Sequence, residues 1–209
     1  MLKTLARLLA IGAIAAPLAA NAVVYQFNAT LNQANEVFKP VVFTPSAAAG
    51  VASLHYDDAG TVSLLDDTYD FTLAVTGLTG TAGSFHIHAA ATTTENAGVI
   101  TNLNSSPFLS LAGPTSLLVG GINVPVPTLG LIGATAPSAV NAGHPAMSFL
   151  DALKGSLAYV NVHTALNGSG EVRGQLFQVA VVPEPETYAM LLAGLGLIGW
   201  IGARRRNRT

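Results

Sequence analysis

Two apolar segments, one near each end of the chain and each flanked by positive charge, decide which residues are left to fold together. Lys3 and Arg7 precede the apolar stretch Leu8–Ala20, and Ala20-Asn21-Ala22 has the small-x-small pattern of a cleavage site. This arrangement reads as a secretory signal peptide over 1–22, removed by signal peptidase, and not as part of the fold. Near the other end, Val182-Pro183-Glu184-Pro185-Glu186-Thr187 leads into Tyr188–Ala203, which carries no charge, and then into Arg204, Arg205, Arg206 and Arg208. As a helix the uncharged stretch would rise about 24 Å, a little short of the roughly 30 Å hydrocarbon core of a bilayer. Arginine stems can make up the difference by snorkelling, and the positive-inside rule keeps the arginines cytoplasmic. The expectation is a C-terminal transmembrane helix at 188–203, an arginine cluster at 204–208, and the intervening domain on the far side of the membrane.

The three parts of the tail, Pro183-Glu184-Pro185, the apolar helix and Arg204-Arg205-Arg206, together resemble a PEP-CTERM sorting signal. The resemblance implies recognition by exosortase, a membrane transpeptidase, and cleavage near the motif. It also implies a Gram-negative bacterium that makes exopolysaccharide. The precursor would be anchored in the inner membrane, and the product then passed to the cell surface or extracellular matrix. The chain divides accordingly into a leader (1–22), an exported domain (23–181) and a sorting tail (182–209).

The exported domain holds three basic residues, Lys39, Lys154 and Arg173, against nine carboxylates, a formal net charge of −6. Phosphate neutralisation needs clustered Lys and Arg, so nucleic acid is not an expected partner. The chain has no cysteine, which excludes disulfides, thiol catalysis and cysteine-ligated metal. The domain must stand on its hydrophobic core. A chain of about 150 residues buries roughly two-thirds of its unfolded surface, which is enough.

Tyr69–Thr76 alternates large apolar with polar or small residues, the period of a strand with one buried face. Val24–Leu31, Ala52–Tyr56, Thr61–Leu65, Ser84–Ala89, Gly98–Leu103, Leu157–His163 and Glu171–Val181 are further strand candidates. Asp57-Asp58-Ala59-Gly60 and Asp66-Asp67 mark turns. The pattern predicts an all-β fold, an antiparallel β-sandwich or Greek-key barrel. Asn104–Gly143, rich in Pro, Gly, Ser and Thr, is too long for an ordinary connection. It reads as an irregular insertion with one or two short strands, such as Ser116–Val119. A short helix is expected at Ala146–Leu153, with Met147, Leu150 and Leu153 near one face and Gly155 ending it.

Three blocks stand out: Leu31-Asn32-Gln33-Ala34-Asn35-Glu36-Val37, Phe85-His86-Ile87-His88-Ala89, and Tyr159-Val160-Asn161-Val162-His163-Thr164 with Gly170-Glu171-Val172-Arg173-Gly174-Gln175-Leu176. Together they resemble the CHRD domain over about Val24–Gln178. The central insertion departs from the shorter family pattern, and the glycine-rich run after His-x-His is reduced to Ala89–Ala97 before Gly98. The resemblance implies a fold and no particular activity.

His86 and His88 are two apart on a predicted strand, so both rings share a face, roughly 7 Å apart along the chain. His163 ends another predicted strand. Imidazole suits copper and zinc, and three imidazoles make a site with an open position. The pattern is also distantly similar to the copper–zinc superoxide dismutase sandwich. That resemblance places His86, His88 and His163 at copper ligands and Arg173 at the arginine that guides the anion. The zinc loop and the cysteine pair of those enzymes are missing from this sequence. His144, in the insertion, is a candidate fourth ligand, and His55 reads as a surface residue. The alternative for the three histidines is hydrogen bonding within the sheet. Glu171 and Arg173, also two apart, are expected in structural roles or in support of the histidines, paired or anchoring the His163 strand. Glu36 has no carboxylate partner at a readable spacing, and no nucleophile-and-base pattern appears, so no catalytic residue is assigned. Two functions stand side by side. One is a structural, adhesive or interaction role at the cell surface or in the matrix, with exopolysaccharide or surface proteins as partners. The other is a copper- or zinc-binding protein with weak redox activity.

Overall fold

The computed structural model describes residues 22–37, 44–127, 143–180, 191–198, 200 and 204. The predicted leader falls almost wholly outside these residues, as do Pro183, Glu184, Pro185, Arg205 and Arg206. Ten strands follow one another: β1 (Val24–Asn32), β2 (Ala49–Asp57), β3 (Thr68–Thr76), β4 (Ala82–Ala89), β5 (Val99–Asn102), β6 (Leu109–Ala112), β7 (Ser116–Pro125), β8 (Ala158–Thr164), β9 (Val172–Gln175) and β10 (Phe177–Gln178). One short helix, α1 (Phe149–Lys154), precedes β8.

Every pairing is antiparallel, and the strands form one curled sheet in the order β5-β4-β8-β9-β1-β2-β3-β7-β6, with β10 added to β1. β9 and β1 are joined through a single residue pair, Asn32 with Arg173. Either side of that joint the strands supply one common core, with Phe27, Leu54, Phe71 and Leu73 from one half and Phe85, Ile87, Val160 and Val162 from the other. β3 alternates as the sequence predicts, with Tyr69, Phe71, Leu73 and Val75 inward. The all-β antiparallel expectation is met.

Three expectations are corrected. Residues 61–65 form no strand. The Thr61 hydroxyl accepts from Ser63 N and donates to the Asp66 carboxylate, and the Ser63 hydroxyl accepts from Leu65 N. Such local side-chain bonds compete with ladder bonds. The stretch Glu171–Val181 is not one strand: β9 pairs with β8 and, through Arg173, with β1, the ladder breaks at Leu176, and β10 pairs with β1 alone. Finally, Asn104–Gly143 is more regular than its composition suggests. β6 and β7 form a hairpin, and β7 pairs along the length of β3. Leu109 and Leu111 of β6 are both exposed, so that strand carries no inward-outward rhythm to read. Residues 128–142 of this stretch lie outside the described residues.

The helix is close to its expected place. Ser148 caps it by accepting from Asp151 N, Phe149, Ala152 and Leu153 are buried, and Gly155 ends it. Of the predicted span 188–203, residues 191–198 and 200 are described and helical. Among the described residues no helix is long and apolar enough to cross a membrane.

Candidate metal centre

In β4, β8 and β9 the alternation that sends Phe85, Ile87, Val160, Val162 and Val172 into the core sends another set to the opposite face. That set is His86 and His88, then Tyr159, Asn161 and His163, then Arg173 and Gln175. Register aligns His86 with Asn161, His88 with Tyr159 and Ser84 with His163. This second face is polar, yet His88, Asn161, Arg173 and Gln175 are buried. Residues 91–97 fold across it, and Glu36 closes it from the side of β1.

One ring nitrogen from each of His86, His88 and His163 lies within 4.8 Å of the other two. A single point therefore lies within about 2.8 Å of all three, against 2.0–2.1 Å for a zinc–imidazole bond. His88 Nδ1 donates to the Ala97 carbonyl at 3.0 Å, and His163 Nδ1 to the Gly168 carbonyl at 3.1 Å. A carbonyl only accepts, so both rings carry their proton on Nδ1 and keep a lone pair on Nε2. Those two Nε2 atoms, together with His86 Nδ1, are buried without a hydrogen-bond partner. A buried polar atom left unpaired costs about 1–3 kcal/mol, and three of them, one on each ring of a cluster this tight, fit a cation. Burial also favours the neutral form of all three rings. It lowers the His86 pKa, with the nearby His163 adding to the effect, and it lowers that of His163. His88 is pushed down to about 4, chiefly by burial. Neutral imidazoles are the form that binds metal. His86 and His163 are only partly buried as residues, whereas the three unpartnered nitrogens are themselves shielded from solvent.

A second layer holds the first. The His88 ring stacks on Tyr159, 4.7 Å between centroids and 4° from parallel. Arg173 Cζ lies 3.5 Å from the centre of the Tyr159 ring. The Arg173 guanidinium donates to the carbonyls of Thr92 and Glu95 and to the side chains of Asn96 and Gln175. Asn161 Nδ2 donates to Glu36 Oε2 at 3.3 Å. Gly170, at φ +132°, closes over both, since a Cβ there would come within 2.8 Å of the Glu36 carboxylate and of Asn161 Oδ1.

The other candidates fall elsewhere. Arg173 is 1% exposed with both Nη groups engaged, so it holds residues 92–96 and does not meet a dissolved anion. Glu171 takes different partners from Arg173: the hydroxyls of Ser46, Thr79 and Thr164 and the backbone N–H of Thr79. Burial, the largest single effect, raises its pKa, but these bonds together outweigh it and hold the carboxyl below the ordinary range. It ties the β8–β9 turn to the segments before β2 and β4. His144 pairs with Glu95 at 3.0 Å and does not belong to the three-histidine cluster. His55 is exposed. Arg204 is helical and lies over the Trp200 ring. Tyr159, Asn161 and Gln175 lie in blocks that stand out in the sequence, but the sequence assigned them no role in the site. Counting by twos back from His163 and on from Arg173 would have put all three on the histidine face.

An all-antiparallel curled sheet with a half-buried three-histidine cluster on one face defines an imidazole-bearing β-domain. The CHRD domain family matches residues 27–176, and the chain belongs to that family. Residues 181–206 match the PEP-CTERM protein-sorting motif. That motif is the exosortase signal, so this is an exported protein with a membrane-associated precursor. No curated protein and no solved structure matches the chain.

Proposed function

We propose that the exported domain is a metal-binding module of the cell surface or exopolysaccharide matrix, holding one copper or zinc ion on His86 Nδ1, His88 Nε2 and His163 Nε2. The observation that carries this is the convergence of three buried nitrogens with no hydrogen-bond partner. An ion held there would supply Lewis acidity, and copper would add one-electron chemistry. The chain's own contribution is three donors whose neutral form burial favours, two of them oriented by backbone carbonyls. In this reading the leader 1–22 is removed after export, the 188–203 segment anchors the precursor, and exosortase cuts near Pro183-Glu184-Pro185.

Metal content of the natively exported protein tests the proposal. About one equivalent of copper or zinc is expected, falling to background in His86→Ala and His163→Ala. Metal content unchanged by both substitutions would sink it. For the tail, Pro183→Ala with Glu184→Ala is expected to block C-terminal trimming, and normal trimming in that double variant would count against the sorting role.

A structural or adhesive role at the same location is the second reading. It is favoured by the apolar edge hairpin, where Leu109, Leu111, Leu118 and Ile122 are exposed. Replacing Leu109 and Leu111 by Ser would then release the protein from the cell surface without altering its metal content.

A further inference from the structure

Arg173 heads the fully buried side chains by size among the described residues. It makes no hydrogen bond to His86, His88 or His163, yet two separate paths lead from it to His88. We infer that Arg173 is a positioning residue for the metal site, fixing the plane and the tautomer of the His88 ring through Tyr159 and through residues 92–97. The inference rests on the metal reading above and names what holds its most buried ligand.

The first path is a stack. β8 lies between β4 and β9, so His88 and Arg173 approach the Tyr159 ring from opposite sides. The guanidinium at 3.5 Å pins one face of the phenol by cation–π attraction. The parallel imidazole at 4.7 Å rests on the other. A ring so sandwiched has one plane, and it passes that plane to His88.

The second path is a carbonyl. Arg173 Nη2 donates to Thr92 O and Nη1 to Glu95 O, both at 2.8 Å, with Asn96 Oδ1 at 3.0 Å from Nη1. A planar fork meets these three acceptors where a lysine ammonium would not. The segment so fixed continues to Ala97, whose N–H donates to the Tyr159 hydroxyl and whose carbonyl accepts from it, at 3.2 and 3.3 Å. The same Ala97 carbonyl accepts from His88 Nδ1. Arg173 and Tyr159 thus hold the one acceptor that keeps the His88 proton on Nδ1 and leaves Nε2 bare.

His163 provides an internal control. Its Nδ1 is held by Gly168, and Gly168 has no part in the Arg173 network. A change that merely loosened the domain would alter both rings together, whereas loss of positioning alters His88 alone.

The test uses the full chain in detergent with ¹⁵N-labelled histidine, metal-free for NMR and then titrated with zinc against a chromophoric chelator. In the wild type, His88 and His163 should both appear as Nδ1–H tautomers. In Arg173→Met, His88 should become a tautomer mixture while His163 stays Nδ1–H, and zinc affinity should fall about tenfold, as for other residues that orient a ligand. Tyr159→Phe keeps the stack and removes the hydroxyl bonds to Ala97. It should shift His88 in the same direction by less, and it carries the test if Arg173→Met does not fold. Unchanged His88 tautomer and zinc affinity in the variants would overturn the inference, and so would His88 and His163 changing together. A wild type that binds no zinc or copper removes the metal reading and this inference with it. A wild type that binds while the variants behave identically removes this inference alone.

Discussion

The two halves of the sheet alternate in the same way and end up with opposite outer faces. On β1, β2 and β3 the outward residues, such as Asn28, Val51, His55 and Thr72, face solvent. On β4, β8 and β9 the outward residues include a histidine, an asparagine, an arginine and a glutamine that are buried. The strands themselves do not make the difference. It comes from residues 91–97 and Glu36, which cover one face and leave the other open. Covering a polar face obliges each group on it to find a partner. Arg173 and Gln175 find theirs in backbone carbonyls, and the histidine nitrogens that find none mark the candidate centre.

The contrast can be broken most severely at Arg173. Arg173→Ala strips the partner from the Thr92 and Glu95 carbonyls in a covered site, and we expect a loss of about 3–5 kcal/mol by urea unfolding. A cost below 1 kcal/mol would mean that residues 91–97 do not seal that face.

Acid should separate the halves next. The metal-free folded domain holds His88 at about 4, while an unfolded histidine titrates near 6.5. Between those values the unfolded chain binds the extra proton. Stability is therefore full above about pH 6.5 and declines as pH falls towards 4, by up to roughly 3 kcal/mol from this group. Unfolding curves across this range in wild type and His88→Gln would check it, and the variant should lose most of the slope. In the opposite direction, zinc at a hundred times its dissociation constant should stabilise the wild type by about 2.7 kcal/mol. His163→Ala should gain none of this, as read by thermal unfolding.

A smaller effect is expected at Gly170→Ala. Its positive φ and the nearby Glu36 carboxylate make a side chain costly by about 1–3 kcal/mol. The least sensitive position should be on the open face. Thr72→Ala should change stability by less than about 0.5 kcal/mol, and a larger loss would show that this face too is covered in the intact protein.

Much of the fold could be read from local pattern. The rhythm of Tyr69–Thr76 predicted β3, and the His-x-His spacing together with the strand ending in Val162-His163 predicted three rings on strands. What escaped was set by pairing. β6 shows no alternation because it is an edge with both leucines exposed. Residues 61–65 look like a strand but satisfy their backbone locally. Glu171 and Arg173 stand two apart, yet β9 begins only at Val172, so their side chains part company. Tyr159 and Asn161 were on the correct face by counting alone, but nothing in the count says that the face is buried.

The sequence alone specified the strands that alternate inward and outward, the candidate histidines and the C-terminal sorting motif, because alternation, charge and apolar length act between near neighbours. Only the tertiary structure decided that His86, His88 and His163 meet, that two of them offer Nε2, and that Arg173 turns inward. Those outcomes depend on register between β4 and β8 and on carbonyls from distant loops. No periodicity along the chain encodes a hydrogen bond between residues about eighty positions apart, such as that from Arg173 to Thr92.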